Sequence, residues 1–116
     1  MGKASRTKGK AAELEVVHIL RDHGPWPNAE RDLDQVRGHD NGRDIIGTPE
    51  FVIQVKRRAK ITAGVVETGL NEAFYSADID EYPVCAHRSD RGSWRVSMTL
   101  IDWCRLCKGV KPWPTV

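Results

Sequence analysis

Asp44, Gln54 and Lys56 place an acid, a neutral amide and an ammonium within thirteen residues of one another. A hard divalent cation takes oxygen ligands and lowers the pKa of a water it holds. A neighbouring ammonium orients that water or offsets negative charge as it develops. The chemistry such a set could support is metal-assisted hydrolysis of a phosphate ester. Gln54 and Lys56 lie two apart in FVIQVKR, so on a strand both project to one face. Asp44 opens the preceding short segment RDIIG, with only Thr48, Pro49 and Glu50 between it and that strand. Paired as a hairpin-like unit, the two strands bring Asp44 beside Gln54 and Lys56. Glu13, one turn before Val16 and Val17 on a helix, can point into the same cleft. Each residue also has a plainer reading. Asp44 suits a turn, Glu13 suits the first turn of a helix by its dipole, and Lys56 suits a solvated strand end.

The elements that must position these side chains follow from the pattern of apolar residues. Residues 1–7 carry Gly, Lys, Ser, Arg and Thr without an apolar period and read as a flexible basic arm. From about Lys8 to His23 the spacing is helical, with Ala12, Val16, Ile19, Leu20 and His23 on a stripe widened by Leu14 and Val17. Gly24 and Pro25 end it. Residues 28–36 form a weak strand or an irregular edge, and RGHDNG (37–42) a loop. A short strand over 43–47, a turn, and a strong strand over 51–57 follow. In that strand Phe51, Ile53 and Val55 oppose Val52, Gln54 and Lys56. A second helix over 66–77 is expected to bury Leu70, Ala73, Phe74 and Ala77, with Gly69 weakening it by about 1 kcal/mol. Residues 82–88 and 93–100 predict an antiparallel hairpin around SDRG. A short helix over 101–108 and a Pro-Trp-Pro tail complete a chain without internal repeats. The fold class is α/β (or an α+β sandwich), a single domain with a mixed central β-sheet flanked by helices.

The chain has 116 residues, 40% hydrophobic and 29% charged, which allows one core of adequate size. No run of about 18 apolar residues spans a membrane, and the basic N-terminus lacks the apolar stretch of a secretory signal. A cytoplasm, bacterial or of a phage-infected host, is the expected location. Three cysteines suit a reducing compartment; Cys104 and Cys107 form a CxxC with no second pair to complete a zinc site and would share a helix face. The net charge of +2 is small, but its distribution is uneven. Lys3, Arg6, Lys8 and Lys10 are free of acids between them, Lys56, Arg57, Arg58 and Lys60 form a second basic cluster, and an acid-rich stretch separates the two. Lys8, Lys10, Arg57, Arg58 and Lys60 are candidate phosphate contacts, the last three because unpaired cations follow the site directly. Arg88, leaving the fourth strand, is a further candidate, and Arg31 and Arg37 rank below it. The four histidines lack ligand spacing, although His39 lies near Asp44. The four tryptophans suit core or dimer packing.

Taken in order, KGKAAE ending at Glu13, GRDIIG with Asp44, and FVIQVKRR with Gln54 and Lys56 resemble the PD-(D/E)xK nuclease superfamily, and in particular archaeal-type Holliday-junction resolvases and related phage endonucleases. YPVCAHR followed by WRVSMTLIDW is similar to the later strand pair of the phage relatives. The resemblance covers roughly residues 8–104, and the order of its weak motifs is more specific than any one of them. It implies a restriction-endonuclease-like core and a Mg²⁺-dependent (or Mn²⁺-dependent) endodeoxyribonuclease selective for branched or four-way DNA, leaving 5′-phosphate and 3′-hydroxyl ends. Asp44, the Gln54 side-chain oxygen, the Val55 main-chain carbonyl and Glu13 would hold the metal, with Lys56 acting on the attacking water. A homodimer is implied, because two symmetric strands must be cut.

One position departs from that pattern: Gln54 stands where the family has a carboxylate, so the site has less negative charge for a cation. Three accounts are open. The variation is natural and active; a carboxylate such as Glu50 or Glu13 compensates; or catalysis is lost. The alternatives are a nicking or general phage-type endonuclease, and a non-catalytic DNA-binding module.

Overall fold

The structure, a computed structural model, describes residues 3–33 and 43–109, with side chains from Lys8 onward. The chain runs α1 (Lys3–His23), β1 (Glu30–Arg31), β2 (Ile45–Ile46), β3 (Phe51–Arg58), α2 (Ala63–Ser76), β4 (Tyr82–Ser89), β5 (Arg95–Ser97) and α3 (Leu100–Gly109). β3 and β4 are parallel, in register from Phe51 against Tyr82 to Arg58 against Ser89, and α2 is the crossover that parallel pairing requires. β5 adds antiparallel on the far side of β4, giving a mixed three-stranded sheet in the order β3-β4-β5. β1 and β2 form a separate antiparallel ladder, so the short strand after Asp44 pairs with β1 and not, as expected, with β3 as a hairpin; only Asp44 itself bonds to β3. The protein is thus a mixed α/β fold with its sheet between helices.

Strand alternation decides which helix each side chain meets. Ile53, Val84 and Ala86 turn to α1 and close a core with Val16, Val17, Ala29 and Ile45. Gln54 and Cys85, neighbours in the register, lie on the opposite side against α2, where Gly69 and Ala73 are buried. Gly69 is there for space. A methyl group on it would lie 2.6 Å from the Cys85 sulfur and 3.3 Å from Cγ of Lys56. Thr62 caps α2 by accepting from the Val65 N–H at 3.3 Å. Gly47 has φ of +82°, and any Cβ there would collide with the main chain of Asn28, so the β1–β2 ladder depends on glycine at that point.

Several elements differ from the sequence expectation. α1 starts at Lys3, so the basic segment expected as an arm is helical from that residue on. It contains no proline, and Ala, Lys and Arg are good helix formers. Its buried stripe is Ala12, Val16 and Val17, while Leu14 and Ile19 are exposed. Phe74, expected in the core, is 65% exposed, because the bulk-free surface of Gly69 and Ala73 is the one that meets the sheet. Of the expected strand over 28–36, residues 28–33 are described and hold only the two-residue β1, Glu30–Arg31, while 34–36 lie outside the described residues; β5 is three residues long with Leu100 already in α3. The loop 37–42, with Arg37 and His39, and the Pro-Trp-Pro tail lie outside the described residues.

Candidate functional site

Asp44 sits at the entry to β2, 8% exposed, and is tied down through three of its atoms. Its N–H donates to the Ile53 carbonyl at 3.3 Å and its carbonyl accepts from the Asp32 N–H at 3.0 Å. Its carboxylate Oδ2 accepts from the Val55 N–H at 2.7 Å. The N–H and C=O of a strand residue point to the same edge, so the Val55 carbonyl is directed toward Asp44 as well. Val55 separates Gln54 from Lys56, whose side chains leave toward α2. The expected juxtaposition therefore takes a specific form: Asp44 meets β3 at the main chain between the other two residues. Gln54 is 3% exposed.

The Lys56 ammonium is held by both carboxylate oxygens of Glu72, each at 3.1 Å. Its side chain is 13% exposed and that of Glu72 42%. The sequence reading missed Glu72, although it directly precedes Ala73 on the buried side of α2. The buried Cys85 thiol feels the same charges. Burial pushes it up to about 11; Lys56 pulls it down, and Glu72 and Asp44 push it up.

Glu13 approaches from α1 and accepts from Arg31 at 2.8 Å. Burial raises its carboxyl above the ordinary range, Arg31 pulls it back, and the charges of Asp44 and Asp32 push it up again. Asp32, 4% exposed, is a second acid the sequence reading did not single out. Glu50, offered as a compensating acid, has the positive φ of a turn residue, +76°. Among the described residues, no three His, Cys, Asp or Glu side chains converge on a point that one metal ion could occupy. The oxygen donors in this stretch are instead the Asp44 carboxylate on the Val55 N–H, the Val55 carbonyl on the same strand edge, and the Gln54 amide on the α2 face. All are hard oxygens, the type Mg²⁺ and Mn²⁺ take, with water completing the shell.

The candidate phosphate contacts divide into two groups. Lys8, Arg57 and Arg88 are internally paired: Lys8 with Asp90 at 3.2 Å, Arg57 with Glu15 and Asp90 at 3.3 and 3.4 Å, and Arg88 with Glu15 at 3.3 Å. Trp94 donates its indole N–H to the same Glu15 at 2.9 Å. Arg57 is thus not the unpaired cation expected of it. Glu15 is a helix residue distant in sequence, and only the tertiary fold brings it to the end of β3. Lys10, Arg58 and Lys60 are exposed, Arg58 donating to its neighbour's carbonyl at 2.8 Å. Beyond the carboxyl ends of β3 and β4 lies a groove of about 510 Å³ lined by Lys60, His87, Arg88, Ser93 and Arg95. Burial and the adjacent Arg95 hold His87 below its ordinary pKa. The positive charge of the groove at neutral pH therefore comes from lysine and arginine. Arg95 had no signal beyond alternation on a strand.

Compared with known proteins, the chain matches no family model, no curated protein and no solved structure.

Proposed function

We propose that this protein is a metal-dependent DNA endonuclease of the Holliday-junction resolvase type, built on a restriction-endonuclease-like core and working in a cytoplasm. The observation that carries the reading is the Asp44 carboxylate fixed on the Val55 N–H, between the oxygen-bearing Gln54 and the cationic Lys56. Asp44, the Gln54 amide oxygen and the Val55 carbonyl would hold Mg²⁺ or Mn²⁺, with Glu13 adding negative charge from α1. When bound, the cation polarises the phosphate and acidifies a water. Lys56, anchored by both oxygens of Glu72, is a fixed positive charge beside that site, placed to orient the attacking water and offset charge on the phosphate. Lys60 and Arg95, in the groove beyond β3 and β4, would take the neighbouring backbone phosphates. In-line attack by water would leave 5′-phosphate and 3′-hydroxyl ends.

The test is cutting of an end-labelled four-way junction against linear duplex, in Mg²⁺ or Mn²⁺ and with a chelator. Symmetric, metal-dependent incision of the junction alone supports the reading; equal cutting of both substrates favours a general endonuclease. A second reading, a DNA-binding module without catalysis, has its own support in Gln54 and in the single carboxylate beside Val55. It predicts junction binding with no incision under any metal.

A further inference from the structure

Between the C-terminal end of α2 and the helix α3 lies a second groove, of about 560 Å³, walled by Phe74, Tyr75, Ile79, Glu81, Asp102 and Arg105. Its apolar part is left in water. Phe74 is 65% exposed, Tyr75 86% and Ile79 93%, and the two rings meet edge to face with centroids 5.9 Å apart. At roughly 150–250 Å² per aromatic side chain, those rings alone leave on the order of 300 Å² uncovered. An apolar patch of that size on a monomer is often functional. The polar part of the groove is acidic. Asp78, Glu81 and Asp102 set three carboxylates in its wall against the guanidinium of Arg105, on a chain whose net charge is +2. Two of the chain's own arginines show what such a surface holds. Arg105 donates to the Asp102 carboxylate at 2.7 Å and the Ile79 carbonyl at 2.9 Å, and lies 5.1 Å from the Tyr82 ring centroid. Arg43 donates to the two oxygens of Glu81 at 2.8 and 2.6 Å and to the Ser76 carbonyl at 3.1 Å. Carboxylates, main-chain carbonyls and a ring face are the groups that take a guanidinium.

We propose that this groove is a docking site for a basic segment of another protein, which seats an arginine or lysine beside Asp78 and lays apolar neighbours on Phe74 and Tyr75. Charge selects the occupant. Glu81 and Asp102 are taken up by Arg43 and Arg105, whereas Asp78, three residues beyond Tyr75, forms no ion pair among the described residues. The carboxylate nearest in sequence to the exposed rings is thus the one left for a partner's cation. A negative wall repels an acidic segment, and the faces of the two rings attract a cation as well. Aromatic side chains within a polar rim are also what the energetic centre of an interface is made of. A second copy fits poorly, because a groove that met itself would oppose its own carboxylates. The position leaves room for nucleic acid. This groove reaches β4 at Pro83, near its start, and the basic groove reaches it at Arg88, near its end. That length of strand sets them about 16 Å apart. Docking here requires nothing of the reaction proposed above, and either can fail without the other.

Panning a displayed library of random peptides on the whole chain, followed by fluorescence anisotropy of the recovered peptide made synthetically, tests it. Recovered peptides are expected to carry arginine or lysine beside leucine or aromatic residues, and to bind less tightly as salt is raised. Tyr75→Ala and Asp78→Asn should each weaken binding by on the order of 10-fold. Circular dichroism should be unchanged, since both side chains are exposed. Trp103→Ala, on α3 but outside the groove, should leave binding as it is. An uncharged or acidic consensus, or binding that survives either groove substitution, overturns the inference. Recovery of no peptide, as when a second copy or residues 110–116 fill the groove, overturns it equally.

Discussion

The carboxylate of Asp44 and the main-chain N–H of Val55 lie 2.7 Å apart, which makes one side chain both a brace for β3 and the acid of the candidate site. The two roles separate by substitution. Asp44→Asn keeps an oxygen acceptor for Val55 and removes the charge, so stability should change little while metal-dependent cleavage falls by on the order of 10²-fold, as when a group stabilising developing charge is lost. Asp44→Ala strands the Val55 N–H as well, costing about 1–3 kcal/mol. Urea unfolding and single-turnover cleavage of both variants check the pair.

Lys56 and Glu72 form the second relationship that can be broken. Glu72→Gln keeps the shape and removes the counter-charge, and should reduce cleavage more than stability, with a stability loss of no more than about 1 kcal/mol for so exposed a partner. Gln54→Glu adds a carboxylate at the strand position and should lower the Mg²⁺ concentration needed for half-maximal cutting. Metal titrations of the two variants run in opposite directions if negative charge is what the site lacks.

Packing of α2 on the sheet gives a prediction independent of function. Gly69→Ala improves helix propensity by about 1 kcal/mol, yet its methyl meets the Cys85 sulfur, and overpacking costs about 1–3 kcal/mol. The clash should win, and Cys85→Ala in the same chain should recover most of the loss, a coupling that a double-mutant cycle reads directly. The same burial, with a thiol pushed up to about 11, leaves Cys85 unreactive. Ellman titration of the native protein at pH 8 should count two thiols, and a third only on unfolding.

Glu13 and Glu81 should respond to pH with opposite signs. Glu81 is held below its ordinary 4.5 by the hydrogen bonds from Arg43, at 2.6 and 2.8 Å. Its contribution is present above pH 4.5 and is lost as pH falls through the lower folded value. Glu13 is raised above 4.5, so the folded state holds its proton more tightly. Its contribution is present below 4.5 and is lost as pH rises through the folded value. Glu13→Gln should therefore raise the melting temperature at pH 7 while weakening cleavage, whereas Glu81→Gln lowers the melting temperature there. Thermal melts from pH 3 to 8 distinguish them.

For the basic residues, salt dependence separates phosphate contacts from internal pairs. Replacing Lys60 or Arg95 with Ala should reduce the slope of log affinity for DNA against log salt by about 0.9 each. Arg57→Ala should leave the slope almost unchanged and lower stability, since it removes a partner of Glu15 and Asp90. Fluorescence anisotropy across a salt series measures it.

Local signals carried much of this. Alternation in FVIQVKRR located β3 and both its faces, and the Gly-Pro after His23 located the end of α1. The hairpin expected across Thr48–Glu50 does not form, since β2 pairs with β1, but Asp44 itself reaches the edge of β3. What sequence could not supply were pairings made by the fold: Glu72 on Lys56, Arg31 on Glu13, and Glu15 on Arg57 and Arg88. Phe74 shows the same limit for packing. Periodicity admits two adjacent faces of α2, and the choice between them depends on how closely the sheet approaches Gly69.

Glu15 gathers Arg57, Arg88 and Trp94, the last of these 79 residues further along the chain. At 5–20 residues added per second, a ribosome delivers that indole roughly 4–16 s after Glu15. α1 thus acquires one of its fixing contacts only after the strands it packs on have been made. Ile53, Val84 and Ala86 emerge before that indole and can already cover the apolar stripe of α1, so what waits for Trp94 is the final fixing of Glu15 between its two arginines.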